Sequence, residues 1–380
     1  MISKAVTSAA LFLVGVYLLT TTSLAAGDVA QATIDKDGTI HVPAISVPLS
    51  SLESDEAKRY FLDFVHLPDV VHDCPTSPGA EDKGNDINVL RKKLDDCLMR
   101  PGVEKLRAVF PVTIKPKVIG GVQTDVIDPA GGIAGRNTGR VLINLHGGGF
   151  TVAAGLGGQM ESIPIASLGK IKVITVDYRE GPEHQFPAAS EDVATVYRAL
   201  LKQYRPENIG IYGCSAGGIL TAESVAWFQS QGLPMPGAIA LFGAGAIVDR
   251  WGDAMYFGAM LEGGQVLPFD TPEMITKAMP YFNGTNLSDP LVSPASSPSV
   301  LRHFPPTLLI SGTRDHGLST AAYTQAQLVN VGVEADLHVW EGAPHCSFAQ
   351  PMVDPNVPET RQAWDVTVAF FEKHLGRGRH

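Results

Sequence analysis

A chain of 380 residues with 29 basic and 39 acidic side chains carries a formal charge of −10. It is long enough to bury a sizeable core, as one large α/β domain with an appended piece or as two domains. The acidic balance and the lack of a basic stripe exclude nucleic acid as an expected partner.

The first 26 residues have the three parts of a secretory signal. Lys4 precedes an apolar run, Leu11 to Leu19, and small residues follow at Ser23, Ala25 and Ala26. Cleavage is expected after Ala25 or Ala26, which makes the mature protein exported, periplasmic or secreted. The rival is a retained anchor, but a membrane-spanning helix needs about 20 apolar residues and the run is shorter. No stable membrane span is expected after cleavage. In an oxidising compartment the four cysteines could bridge. Cys74 and Cys97 share the N-terminal region and are expected to pair. Cys214 and Cys346 are expected to stay reduced, because proximity alone does not give bridging geometry. Asn283-Gly284-Thr285 and Asn286-Leu287-Ser288 are glycosylation sequons that matter only in a eukaryotic secretory pathway.

Residues 27–50 are polar and proline-punctuated and read as an extended lead-in. Residues 51–105 carry helical patterns, with Val89, Leu90, Leu94 and Leu98 at helical spacing. Together 27–105 form an expected N-terminal helical cap. From Leu106 the pattern changes, and 106–380 reads as the catalytic domain. Leu106–Ile114 and Gly121–Ile127 alternate in polarity like strands. Short apolar runs follow at Val141–Leu145, Val173–Val176, Ile209–Tyr212, Ala238–Phe242, Thr307–Ile310 and Ala335–Trp340, each suited to a strand covered on both faces. Helical stretches at Ala188–Lys202, Gly218–Gln229, Thr320–Val331 and Glu359–His374 separate most of them. This alternation implies an α/β fold, a mostly parallel sheet with helices on both sides. About sixty residues between Phe242 and Thr307 break the rhythm, and 247–285 reads as an insertion contributing to the cap.

Gly213-Cys214-Ser215-Ala216-Gly217 stands between a strand and a helix. A G-x-S-x-G elbow of this kind exposes a serine hydroxyl at a sheet edge, because small flanking residues tolerate the sharp turn. A serine needs a base, and the base needs an orienting acid. In chain order the acid and histidine follow the serine. Asp315 lies just beyond the strand Thr307–Ile310, and His345 follows the strand Ala335–Trp340. The rivals are less well placed: His316 adjoins Asp315, His338 lies within a strand and His303 precedes a proline-rich turn. Asp289 and Glu341 do not follow the penultimate strand. His146-Gly147-Gly148-Gly149 ends the strand Val141–Leu145. The N–H groups of Gly147 and Gly148, with that of Ala216, are expected to form the oxyanion hole. No H-E-x-x-H, dinucleotide fingerprint or phosphate loop occurs, so neither metal nor cofactor is expected.

Three blocks together resemble the hormone-sensitive-lipase-like carboxylesterases of the α/β-hydrolase superfamily: His146–Gly149, Asp177–Ala189 and Gly213–Gly218. The middle block, with Tyr178-Arg179, Pro182-Glu183-His184 and Phe186-Pro187-Ala188-Ala189, is similar to a structural segment of that family. The resemblance covers about 106–374 and implies an eight-stranded α/β-hydrolase sheet, a cap, and no cofactor. It implies hydrolysis of small-molecule carboxylic esters with short to medium acyl chains through an acyl-enzyme. An amidase, lactonase or carbamate hydrolase would use the same triad, and a silent ligand receptor is the reading from another class. Cys214 stands where the family usually has Asp, and Glu180-Gly181 replaces an apolar-Ala pair. The acyl and alcohol preference and the oligomeric state are left open.

Overall fold

The computed structural model describes residues 31–75, 86–263, 271–350 and 354–376. The expected signal segment, 1–26, lies outside the described residues. The chain divides into two compact units, up to Pro48 and from Leu49 onward. Within the first, Thr33–Ile34 (β1) and Ile40–His41 (β2) make an exposed antiparallel ladder. Its turn is fixed by Asp37, whose side chain accepts the Thr39 N–H, and by Gly38 at φ +93.

The larger unit begins with helices. α1 (Asp55–Phe64) starts at Ser54, whose hydroxyl accepts the Ala57 N–H as a cap. α2 (Leu67–His72) follows. α3 (Ile87–Leu94) runs through a π-type turn (Asp95–Met99) into α4 (Arg100–Val109). Leu106 to Val109 were expected to open a strand but close α4, because Val103 and Leu106 bury one helical face while Val109 points outward.

An eight-stranded sheet follows in the order β10-β9-β8-β7-β5-β6-β4-β3. Its members are β3 (Val112–Ile119), β4 (Val122–Pro129), β5 (Val141–Leu145), β6 (Lys172–Val176) and β7 (Ile209–Cys214). β8 (Ala238–Phe242), β9 (Thr307–Gly312) and β10 (Ala335–Trp340) complete it. β4 runs against both β3 and β6, while every pairing from β6 to β10 is parallel. All five β5 residues are buried, and each Leu or Ile so covered stabilises by about 1.5–3 kcal/mol.

Helices cover both faces. α6 (Ala188–Leu200), α7 (Ala216–Ser230) and α11 (Leu318–Asn330) pack on one face. α4, α5 (Leu156–Gly169) and α12 (Pro358–His374) pack on the other. α5 had no counterpart in the sequence reading. It is covered on every side and holds Pro164 in its interior, so no helical period shows. Between β8 and β9 lie α8 (Asp253–Leu261), α9 (Pro272–Ala278) and α10 (Pro298–Leu301). Among the described residues no helix is long and apolar enough to cross a membrane.

The chain order reverses at β5: β6 lies on one side of it and β7 on the other. Loops leaving the carboxyl ends of β5 and β7 therefore emerge side by side, the position at which open α/β sheets build sites.

Candidate active site

Ser215 sits between β7 and α7 at φ 56 and ψ −121, a left-handed conformation unusual for a side-chain-bearing residue. The flanking glycines have a steric cause. A Cβ on Gly213 would stand 2.1 Å from the Leu145 carbonyl oxygen, and one on Gly217 would stand 1.8 Å from the same atom. The elbow is thus pressed against the end of β5, and only glycine fits on either side.

The structure brings the three predicted side chains together. His345 Nε2 lies 2.9 Å from Ser215 Oγ, and His345 Nδ1 lies 2.7 Å from Asp315 Oδ1. Asp315 is fully buried beyond β9. Its carboxylate also accepts the Gly317 N–H at 2.7 Å and the Ser311 hydroxyl at 2.8 Å. Burial alone would raise its pKa. The charge and hydrogen bond of His345, with His316 and the Gly317 N–H, outweigh burial and hold it at about 2. Burial pulls His345 down, but the charge and hydrogen bond of Asp315, joined by Glu262, push it above the ordinary 6.5. An imidazole so held takes a proton from the hydroxyl and keeps one tautomer.

The rival groups sit elsewhere. His338 stacks on Trp340 along β10, with ring centroids 5.8 Å apart. His303 and Glu341 are exposed, and Asp289 ties a turn by accepting the Leu291 N–H. His316 is closer than expected. Its ring lies 3.9 Å from that of His345, and its Nδ1 meets Glu262 at 3.1 Å. The other Glu262 oxygen accepts the His345 backbone N–H. Glu262, at the end of α8, is a support that no local pattern announced. Donor atoms of Asp315, His316 and His345 lie within 4.8 Å of one another. Asp315 and His345 already hold each other and Ser215, so the set does not fit a metal.

The glycine loop corrects one expectation. The Gly147 N–H is donated to Glu161 at 2.9 Å and cannot face a substrate. Glu161, buried on α5, also accepts from Asn144 and from Gln350, each at 2.8 Å. Burial raises its carboxyl to about 7 against these bonds. Gly148 stands at φ +107 and Gly149 at φ +61. Their N–H groups have no acceptor among the described residues, nor does that of Ala216 at the open start of α7. Gly148, Gly149 and Ala216 are therefore the donors available beside Ser215. Gly147, expected among the oxyanion donors, is taken up in anchoring the loop, and the Gly149 N–H stands open beside that of Gly148. His146 is fully buried, which lowers its pKa to about 4. It stacks on Tyr178 at 4.2 Å, and the Tyr178 hydroxyl donates to its carbonyl at 2.6 Å. Its ring is packed into the base of the loop.

The Asp177–Ala189 block is structural. Arg179 is bound by Asp192 at 2.9 Å and donates to the Ala188 carbonyl at 3.0 Å. Arg91 from α3 reaches across to donate to the carbonyls of Thr151 and Gly181, at 2.7 and 2.9 Å, and pairs with Glu183 at 2.7 Å. This ties the N-terminal helices to the glycine loop.

Both cysteine pairs are bridged. Cys74–Cys97 is as expected. Cys214–Cys346 overturns the expectation of two free thiols: the Ser215–His345 contact brings their Cα atoms to 6.2 Å, within bridging range.

A model of the alpha/beta hydrolase fold matches residues 142–349, a stretch that holds the glycine loop and all three side chains. The chain belongs to the α/β-hydrolase family. The crystal structure of an esterase, E25, superposes with a TM-score of 0.71 at 31% identity, covering 88% of this chain and 98% of that one. An acetyl-hydrolase from Streptomyces hygroscopicus is 28% identical over 246 residues, 64% of this chain and 79% of its own length. An esterase of the bacterial hormone-sensitive lipase family shares the fold at 24% identity and a TM-score of 0.68, covering 85% of this chain and 99% of that one. The three sequence blocks resemble the family from which that last structure comes.

Proposed function

We propose that this α/β-hydrolase is a serine carboxylesterase acting on small esters of short to medium acyl chains, with Ser215, His345 and Asp315 as its triad. The observation that carries the reading is the unbroken hydrogen-bonded line from Ser215 Oγ through His345 to Asp315, at 2.9 and 2.7 Å, beside a glycine loop with free N–H donors. The related acetyl-hydrolase and esterase support the reaction class.

His345 takes the proton of Ser215 Oγ as that oxygen attacks the ester carbonyl. Charge gathers on the former carbonyl oxygen, where the N–H groups of Gly148, Gly149 and Ala216 receive it; each such donor contributes about 3 kcal/mol. His345 then gives the proton to the departing alkoxide, leaving an acyl group on Ser215. Water, deprotonated by the same imidazole, releases the acid. Asp315 stays ionised and fixes the ring with Nε2 toward the serine. Ser215→Ala should abolish turnover of p-nitrophenyl acetate and butyrate while the far-UV circular dichroism is unchanged. Retention of more than a few per cent of the rate rejects Ser215 as the nucleophile.

Export of the mature chain belongs to the same reading. Its support is the signal-like pattern of residues 1–26, together with two bridged cysteine pairs of the kind an oxidising compartment maintains. Expression of the full-length chain, with recovery from the culture medium or periplasmic fraction of a product that begins near Gly27, tests it.

A further inference from the structure

The Cys214–Cys346 bridge joins the residue immediately before the nucleophile to the residue immediately after the base. Each half-cystine is thus one peptide unit, about 3.8 Å between Cα atoms, from a reacting residue. Among the described residues no other covalent link joins the two loops. The strand leading to His345, β10, is the sheet edge, and it reaches β7 only through β9 and β8. The ladder therefore carries the relative position of hydroxyl and imidazole across three interfaces, whereas the bridge carries it across one. Its Cys214 end is fully buried at the tip of a central strand, and its Cys346 end is 5% exposed.

Backbone geometry points the same way. Ser215 and Cys346 are both non-glycine residues with left-handed φ, 56° and 55°. Such residues persist where their surroundings over-determine them, and they gather at functional sites. Here Cys346 is one end of the covalent span and Ser215 adjoins the other. The bridge also passes directly beside the ring. A Cβ on Gly243 would touch His345 Cε1 at 3.0 Å and Cys346 Sγ at 3.1 Å.

We propose that the Cys214–Cys346 disulfide is a positioning element of the active site, holding Ser215 Oγ within hydrogen-bonding reach of His345 Nε2. It acts through Ser215 and His345 and touches no substrate. The inference rests on their assignment as nucleophile and base. A covalently set hydroxyl–imidazole distance matters because an error of about 1 Å in such a contact costs on the order of 100-fold in rate.

The test compares wild type, Cys214→Ser/Cys346→Ser and Cys74→Ser/Cys97→Ser. Two readouts are used: the rate of Ser215 labelling by a fluorophosphonate, and kcat and KM for p-nitrophenyl butyrate. Loss of the 214–346 bridge should slow labelling and lower kcat at least tenfold, with KM changed less than threefold. Loss of the 74–97 bridge should leave labelling within twofold of wild type. Labelling within threefold of wild type in Cys214→Ser/Cys346→Ser overturns the proposal, as does a KM change with kcat intact. Should that variant not fold, wild type is reduced with a phosphine under conditions that preserve its circular dichroism, and the freed thiols are located by mass mapping. Labelling should fall when 214 and 346 are free and return on reoxidation; unchanged labelling with both thiols free overturns the proposal. A wild type that labels at Ser215 yet cleaves no ester rejects the esterase reading, and the labelling ratio still decides the role of the bridge.

Discussion

The two disulfides sit in contrasting surroundings. Cys74–Cys97 spans 23 residues and staples neighbouring helical segments of the N-terminal stretch. Cys214–Cys346 spans 132 residues and joins two strand ends beside the reacting atoms. One closes a local loop, where the benefit is a smaller unfolded ensemble. The other fixes where two functional groups stand in the folded state. Identical covalent chemistry thus serves stability alone in one region and both stability and geometry in the other, so substitutions in the two regions should separate on catalysis.

The largest effect belongs to the strand-end region. Asp315→Asn should lower kcat by about four orders of magnitude with the fold intact, because the amide no longer fixes the imidazole tautomer. In wild type, kcat/KM should rise with pH through a pKa above 6.5, since His345 must be neutral to act and is held high chiefly by Asp315 against its burial. In the variant that limb should move to lower pH; a limb that stays in place removes Asp315 from the proposed line.

Gly148→Ala comes next, with a loss of about 100- to 1,000-fold in kcat. The added Cβ would stand 2.1 Å from the Val152 carbonyl oxygen, on a backbone already at φ +107, so the loop must shift its donors. Steady-state kinetics with unaltered thermal stability would place that loss in the site. A rate near wild type would exclude this loop from oxyanion binding.

Glu161 sharpens the contrast through pH. Its folded pKa, about 7, lies above the ordinary 4.5, so between those values the folded chain keeps a proton that the unfolded chain has released. Its contribution to stability is complete below about 4.5 and is lost as pH rises through about 7, on the order of 3 kcal/mol between the limits. Glu161→Gln should narrow the Tm difference between pH 5 and pH 8. Glu180, raised to about 7 chiefly by its own burial, keeps a share of that slope. An unchanged difference shows that Glu161 is ionised in both states.

The smallest effect on catalysis is expected at the other bridge. Cys74→Ser/Cys97→Ser should destabilise by about 3 kcal/mol and leave kcat within twofold. Thermal unfolding and steady-state kinetics read the two quantities apart, and a tenfold fall in kcat here would erase the distinction between the bridges.

Much of the site was legible because strand ends leave local marks. The buried runs of β5, β7 and β9 are short and apolar, and each is followed at once by its functional residue or glycine loop. The elbow glycines are similarly local: both answer to a single carbonyl, that of Leu145. What escaped depends on contacts distant in sequence. α5 is covered all round, so it shows no period, and with it went Glu161, whose bond takes up the Gly147 N–H. Glu262 and Arg91 act across 83 and 60 residues, on His345 and Thr151. Leu106 to Val109 looked like strand because their polarity alternates, but the buried face of α4 overrode that pattern. The second bridge was misread although the triad itself implied that Cys214 and Cys346 were close, since neighbours of touching residues need a fold to show which way they point.

The hydroxyl and its imidazole are 130 residues apart, and the imidazole follows a strand that docks on the sheet through β9 alone. During synthesis the elbow can therefore be complete while its partner is still unmade. A polypeptide interrupted after the elbow but before residue 345 carries the elbow without the imidazole that the proposed chemistry requires.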